Sequence, residues 1–346
     1  EAVRYGANPR EALTEAGVRS EQLRQVHFTD VKHGKQRSSN LIFERAVYCF
    51  AYDDEEMLRQ VQGAMYAVNQ AEADKGLRQY RSFFETLIER NLVTRDQAKK
   101  CESYLTVTQS YSDIADADIV YECVPEDLDL KHRVYRDIEQ NCTNFKVLAS
   151  TTSAKSADDL AEGLSEHKDK LMVAHPFFPP HLILFVEIVK GKATSDSAAR
   201  LLYDVLESCG RKPIIANKSV PGFVANRLQH ALLREAGYMV DEGIASPEDV
   251  DRALTYSFAP RYAAVGLFQH MDAAGLDMVK SIQDYLLPSL STRTDTPDVI
   301  TDHFKKGELG MKTGSGIYDW PEEKQQQFHQ AAAEPYFSYF NWNIPE

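Results

Sequence analysis

The chain has 346 residues, of which 43% are hydrophobic and 26% charged, and its formal net charge is −13. That length accommodates two domains at about 100–200 residues each. The acidic balance, with no long Lys/Arg run, speaks against nucleic acid and anionic membrane as partners, and the apolar runs are strand-sized, short of the ~20 residues of a membrane span.

In chain order, residues 1–24 read as a helical extension whose start lacks the basic-then-apolar pattern of a secretory signal. Val26–Thr29 is predicted as a short strand, a helix continues from near Lys35 through Asn40–Arg45, and Val47–Tyr52 is predicted as a second strand ending in Asp53. A long helical pair is expected from Glu55 to about Glu102, interrupted at RNLVTRDQ. Leu105–Thr108, Ile119–Glu122, Val147–Ser150, Leu171–Ala174 and Phe185–Val189 read as further strands, with helices such as Leu130–Asn141 and Ala198–Ser208 between them. Such alternation predicts an α/β fold with a Rossmann-type, doubly wound, mostly parallel sheet covered on both faces. After KSVPGF the pattern becomes helical. Val224–Gly243 reads as one amphipathic helix, and SPEDV caps the next at Ser246. The expected organisation is an extension over 1–24, a dinucleotide-binding-type domain over 25–217 and an all-helical dimerisation or substrate domain over 218–346. The aromatic tail PYFSYFNWNIPE is expected to pack on the body or on a second subunit, because so much apolar surface is unfavourable in water.

The five cysteines, Cys49, Cys101, Cys123, Cys142 and Cys209, are scattered and show no CxxC spacing. They read as buried thiols in a reducing, cytoplasmic compartment, and no cluster has metal-ligand spacing.

The first strand-to-helix turn carries the main question. A dinucleotide turn has the form G-x-G-x-x-G. Its first glycine makes the turn, the second admits the pyrophosphate, and the third lets helix and strand pack closely. In TDVKHGKQ those positions hold Asp30, Lys32 and Lys35, and Gly34 is one residue out of place. Lys32 puts a long stem where a phosphate should meet backbone, and Asp30 places negative charge beside a negative ligand. Asp53 stands about where the ribose-binding acid is due, ~20 residues further on. Two readings stay open. Lys32, Lys35 and Arg37 hold phosphates with their side chains, or the turn only connects strand to helix.

From Asp118 onward the motifs are more specific. DADIVYECVPEDLDLKHRVYRDIE, LASTTSA, AHPFFPPHLILFVEIVKGKATS, KSVPGFVANRLQHALLREAGYMVDEGIASPEDVDRAL, RYAAVGLFQHMDAAGLD and KTGSGIYDW follow one another in order. Together they resemble the 3-hydroxyacyl-CoA dehydrogenase family, and its lambda-crystallin and L-gulonate 3-dehydrogenase branch in particular, over about two-thirds of the chain. Departures from that pattern are Thr151 for Asn, Leu267 for Pro, and Pro179 at or next to an Asn position. The resemblance implies that His175 moves a proton on the substrate hydroxyl and that Glu187 orients its ring. It implies that Ser153 and Asn226 hold the reacting oxygen, that Glu126 and Lys131 meet the nicotinamide half of the cofactor, and that Asp53 binds its ribose. It also implies a homodimer through the helical domain. Independently of it, a histidine just after a buried strand lies at the carboxyl edge of the sheet, where open α/β folds keep their sites. The imidazole side chain, with a reference pKa near ~6.5, is the type suited to proton transfer near neutrality.

An acid–base set that is kept, beside a cofactor turn that is dismantled, predicts an enzyme acting on a small hydroxy or keto substrate without hydride transfer, by cyclisation, isomerisation or elimination, and needing no cofactor. Phe177, Phe178, Leu182 and Leu184 are candidates for an apolar lining, and equally for the core. The alternatives are an NAD-dependent dehydrogenase of a 3-hydroxy acid or its thioester, with Lys32 at the phosphates, and a non-catalytic, crystallin-like protein.

Overall fold

The computed structural model describes residues 23–29, 61–91, 93–177, 180 and 182–339. Among them eight strands form a single sheet in the order β3-β2-β1-β4-β5-β6-β7-β8. They are β1 (Leu23–Thr29), β2 (Val61–Ala67), β3 (Leu105–Thr108), β4 (Ile119–Glu122), β5 (Val147–Ser150), β6 (Leu171–Pro176), β7 (Phe185–Lys190) and β8 (Lys212–Ala216). Every neighbouring pair is parallel except β6 and β7. The chain steps outward from β1 to β2 and β3, then returns to the other side of β1 for β4 to β6. That reversal is the switch point at which doubly wound sheets keep a ligand crevice, at the carboxyl ends of the strands.

The crossovers are α1 (Gln70–Glu89), α2 (Arg95–Ser103), α3 (Leu128–Asn141), α4 (Ala157–Ala161) and α5 (Asp196–Ser208). Capping side chains fix where they start. Asn69 accepts the N–H of Glu72 at the head of α1, and Thr94 with Gln97 forms a capping box at the head of α2. Successive strand residues point to opposite faces, so the sheet feeds two cores. Met65, Ile119 and Met172 join Tyr80, Phe84 and Leu202 in one, while Val120, Leu148 and Val173 join Tyr135 and Ile138 in the other. Full burial of each such side chain contributes about 1.5–3 kcal/mol.

Two sequence expectations are corrected here. The strand beside β1 is Val61–Ala67, within the stretch expected to be helical. The expected strand Val47–Tyr52 lies outside the described residues. VQGAMYA has a single β-branched residue and a central Gly63, so composition favoured helix, and parallel pairing on both sides overrides that preference. β8 was not expected at all. KPIIA is short and begins near a proline, which a strand tolerates at the edge of a sheet, where β8 lies. Residues 1–22 of the expected extension are outside the described residues, and Leu23 and Arg24 belong to β1.

The chain divides into two compact units between Val224 and Ala225. The second contains α6 (Ala225–Asp241), α7 (Pro247–Tyr256), α8 (Ala259–Tyr262), α9 (Leu267–Ala274), α10 (Leu276–Leu286), α11 (Asp298–Lys305) and α12 (Glu322–Tyr339). Ser246 caps α7 by accepting the N–H of Asp249. Gly237 lets α6 pass against Pro297, whose ring a Cβ would overlap. No described helix is long and apolar enough to cross a membrane.

Candidate active site

β6 and β7 run antiparallel with His175 directly opposite Glu187. Opposed residues of such a pair carry their Cβ atoms about 5 Å apart on the same face, so the two side chains meet. The His175 Nδ1–H donates to Glu187 Oε2 over 3.2 Å. Glu187 is wholly buried and His175 nearly so. The other carboxylate oxygen of Glu187 accepts the backbone N–H of Val224 at 3.0 Å. A turn with two consecutive left-handed residues, Gly222 (φ 77°) and Phe223 (φ 49°), presents that N–H. A non-glycine residue held there costs about 1–3 kcal/mol, a strain that persists only where its surroundings enforce it. Here the Phe223 side chain is buried, and its ring packs on the imidazole at a centroid distance of 5.6 Å. Phe177 packs edge-on to the imidazole at 5.6 Å. With Nδ1 committed to the carboxylate, Nε2 carries the lone pair that can take a proton.

β4, β5 and β6 are adjacent and parallel, so the residues that follow them share one edge. Glu126 lies beyond β4, Ser153 beyond β5, and His175 near the end of β6. Glu126 Oε1 accepts the N–H of Ser153 at 3.0 Å, and its Oε2 accepts the hydroxyl of Thr152 at 2.8 Å. Thr152 Oγ1 accepts the N–H groups of Ala154 and Lys155 in turn, which sets the loop that exposes Ser153.

Lys131, expected at the nicotinamide half of a cofactor, is deeply buried. Its side chain is 1% exposed. Nζ donates to Glu122 Oε1 at 2.8 Å and to the Val124 carbonyl at 3.1 Å, and lies 3.8 Å from Glu126 Oε2. The enclosed ammonium therefore meets the rim of the site only through Glu126. Glu122, which sequence reasoning missed, also accepts the Val124 N–H at 2.7 Å and the hydroxyls of Tyr135 and Ser150, each at 2.7 Å. Burial, then the Glu122 charge, holds the Tyr135 phenol well above its usual range and keeps it a donor.

Asn226 is the second residue of α6, in the second unit. Asp53, Lys32, Phe178 and Pro179 lie outside the described residues. The residue that ends the strand beside β1 is Ala67. Leu182 is buried core. Cys101, Cys123, Cys142 and Cys209 are buried and unbridged, as expected. Burial pushes the Cys101 thiol up to about 12 and the Cys142 thiol up to about 11, so neither is a nucleophile near neutrality. No metal-holding group occurs among the described residues.

Comparison with known proteins agrees with this fold. Residues 57–220 match the family profile described as 3-hydroxyacyl-CoA dehydrogenase, NAD binding domain, and residues 222–320 match the corresponding C-terminal domain. The chain is 33% identical over 211 residues to a 5-formyl-3-hydroxy-2-methylpyridine 4-carboxylate 5-dehydrogenase of Mesorhizobium japonicum, covering 61% of this chain and 68% of that protein. It is 38% identical over 197 residues to an L-carnitine dehydrogenase of Oceanobacillus iheyensis, covering 56% of this chain and 64% of that protein. It is 35% identical over 181 residues to the lambda-crystallin of Oryctolagus cuniculus, covering 51% of this chain and 56% of that protein. The chain thus spans about two-thirds or less of the length of these relatives. A solved structure described as 5-formyl-3-hydroxy-2-methylpyridine 4-carboxylic acid 5-dehydrogenase, an NAD+ dependent dismutase, superposes with a TM-score of 0.74 at 25% identity, covering 92% of this chain and 97% of that one.

Proposed function

The chain belongs to the 3-hydroxyacyl-CoA dehydrogenase family, and from that premise we propose that it is an enzyme whose His175–Glu187 pair moves a proton on a small hydroxy or keto substrate without transferring a hydride. The observation that carries the reading is the buried pair itself, braced on its far side by the Val224 N–H. His175 Nε2 takes a proton from the substrate hydroxyl, or from the carbon next to a carbonyl. The imidazolium that forms is held by the Glu187 carboxylate, and the proton is returned from the same nitrogen at another position. Ser153, exposed at the same edge, steadies the enolate or alkoxide oxygen. Such general acid–base help contributes about 10²–10⁴ in rate.

The family implies NAD, which would supply or accept a hydride when bound. The residues present do not fit it well. The sequence that follows β1 reads DVKHGK, and β2 ends in Ala67 instead of an acid. No step of the proposed chemistry needs the cofactor. An NAD-dependent dehydrogenase of a 3-hydroxy acid or thioester is the second reading, favoured by the NAD-domain match over 57–220. Both readings include a homodimer, and the unbridged cysteines support a reducing, cytoplasmic setting.

The test is hydrogen–deuterium exchange next to the carbonyl of 3-oxo acids and their thioesters, followed by NMR in D₂O with no nucleotide added. The wild-type protein should exchange, and His175→Ala should lose about 10²–10⁴ of that rate. Asn226→Ala tests the oxygen-holding role that the family motif implies. Oxidation of NADH by the same compounds, with no exchange in its absence, would favour the dehydrogenase.

A further inference from the structure

The motif RYAAVGLFQHMDAAGLD plays no part in the proton-transfer reading, yet it builds a defined corner in the second unit. α8 and α9 are joined by the short link 263–266. The N–H groups of Ala264 and Val265 donate to the Arg261 carbonyl, each at 3.0 Å. On the other side the Gly266 N–H donates to Gln269 Oε1 at 2.9 Å, and the Gly266 carbonyl accepts the His270 N–H at 2.9 Å. These bonds bring Arg261 and His270 side by side, and Arg261 Nη1 donates to His270 Nε2 at 2.7 Å. The imidazole is half-buried and seated edge-on to Tyr262 at a centroid distance of 6.2 Å, and Tyr262 packs on Phe258 at 5.6 Å.

The identity of that partner sets the charge. Arg81, Arg95 and Arg293 each meet a carboxylate, at 2.5, 3.0 and 2.5 Å, which neutralises them. Arg261 is oriented instead by an imidazole that accepts through its lone pair and is therefore neutral. Among the described residues no carboxylate lies within 4.0 Å of the guanidinium, and its Nε–H and Nη2–H groups have no hydrogen-bond partner. Those two groups form the edge whose parallel N–H bonds match the two oxygens of a carboxylate. The side chain is exposed, so that edge is open to a ligand. In a chain with a net charge of −13, a guanidinium that is held in place without being neutralised is a preorganised receptor for an anion.

We infer that Arg261 and His270 form a binding site for a small-molecule carboxylate. The carboxylate accepts two parallel hydrogen bonds from Nε–H and Nη2–H of Arg261, while His270 acts as a positioning residue that holds the guanidinium by Nη1. The site lies within the second unit and does not rest on the proton-transfer reading, so either can fail without the other.

The experiment is an NMR titration of the full chain with acetate, 3-hydroxybutyrate and inorganic phosphate at a constant ionic strength of about 0.1 M. It follows the arginine Nε–H signals, that of Arg261 being assigned by its loss in Arg261→Lys. The Arg261 signal should move saturably with both carboxylates, with dissociation constants of about 10 mM or less. The signal of Arg252, exposed on α7, should only drift in proportion to concentration and serves as the reference for unspecific contact. His270→Phe should weaken binding about tenfold, and His270→Gln, whose amide oxygen can still accept from Nη1, should restore most of it. An Arg261 signal that responds no more steeply than that of Arg252 overturns the inference, and this comparison within the wild type stands even if a His270 variant does not fold. Phosphate bound more than about tenfold more tightly than either carboxylate overturns the assignment of the ligand, and a folded His270→Phe variant that binds like wild type overturns the role of His270. Failure of the proton-transfer reading appears separately, as absent exchange in D₂O, which these titrations do not touch.

Discussion

At the scale of single residues, the site is a histidine whose chemistry is set by what its other nitrogen touches. In the proposed reaction Glu187 fixes the tautomer and balances the imidazolium, while its other oxygen accepts the Val224 N–H. Glu187→Gln keeps the shape and an acceptor for Val224 but removes the charge. The exchange rate is then expected to fall by about 10²–10⁴, as it does for His175→Ala. Residues that act as one unit are not additive. The double variant should therefore be no slower than His175→Ala alone, a comparison made by NMR under the same conditions. Two independent losses that multiply would mean that Glu187 acts on something other than the imidazole.

At the scale of elements, buried polar groups tie the loops of the carboxyl edge to the sheet. Glu122 joins β4 to α3 through Lys131 and Tyr135, and to β5 through Ser150. Lys131→Met strands a buried carboxylate and should cost about 3–5 kcal/mol in urea unfolding; adding Glu122→Gln should recover part of that loss, since the penalty lies in the unpaired charge. A second tie is Glu139 on α3, which accepts the N–H groups of Ser165, Glu166 and His167 at 2.8, 3.0 and 3.0 Å. Burial pulls its pKa up, but these three donors and His167 outweigh burial and hold the carboxyl below its usual range. A depressed folded pKa contributes stability that is present above the unfolded value and lost as pH falls through the folded one. Glu139→Gln should thus be less stable than wild type by about 1–3 kcal/mol near neutrality, with the gap closing below about pH 4 in urea titrations. These elements also show what was legible in the sequence. β4 to β7 were readable because each is an aliphatic run after a polar turn, and His175 and Glu187 fell within the last two. β2 was not, because parallel pairing on both flanks and not composition makes it a strand. The Asn69-x-x-Glu72 cap was the one local signal that the expected helix had to stop before residue 70. Glu122 was hidden because its side-chain partners are 9, 13 and 28 residues away, beyond any local period.

At the scale of the whole molecule, the two units treat apolar surface differently. The first buries its large aliphatic and aromatic side chains between sheet and helices, whereas the second leaves Leu228, Tyr256, Phe268 and Tyr285 61%, 87%, 87% and 82% exposed. Apolar surface on that scale is costly in water and marks a surface made to be covered. A second copy of the chain is the occupant that the proposed homodimer supplies. Each copy brings a net charge of −13, so association must overcome like-charge repulsion with apolar burial. Salt screens the first over about 10 Å at 0.1 M and leaves the second intact, so the dimer should tighten as salt rises. Sedimentation equilibrium should give twice the chain mass, with a dissociation constant that falls between low and moderate salt. Phe268→Glu together with Tyr285→Glu should yield the monomer, because the two substitutions add charge where burial is needed. A wild-type chain that stays monomeric at every salt concentration would count against a second copy as the cover of these side chains.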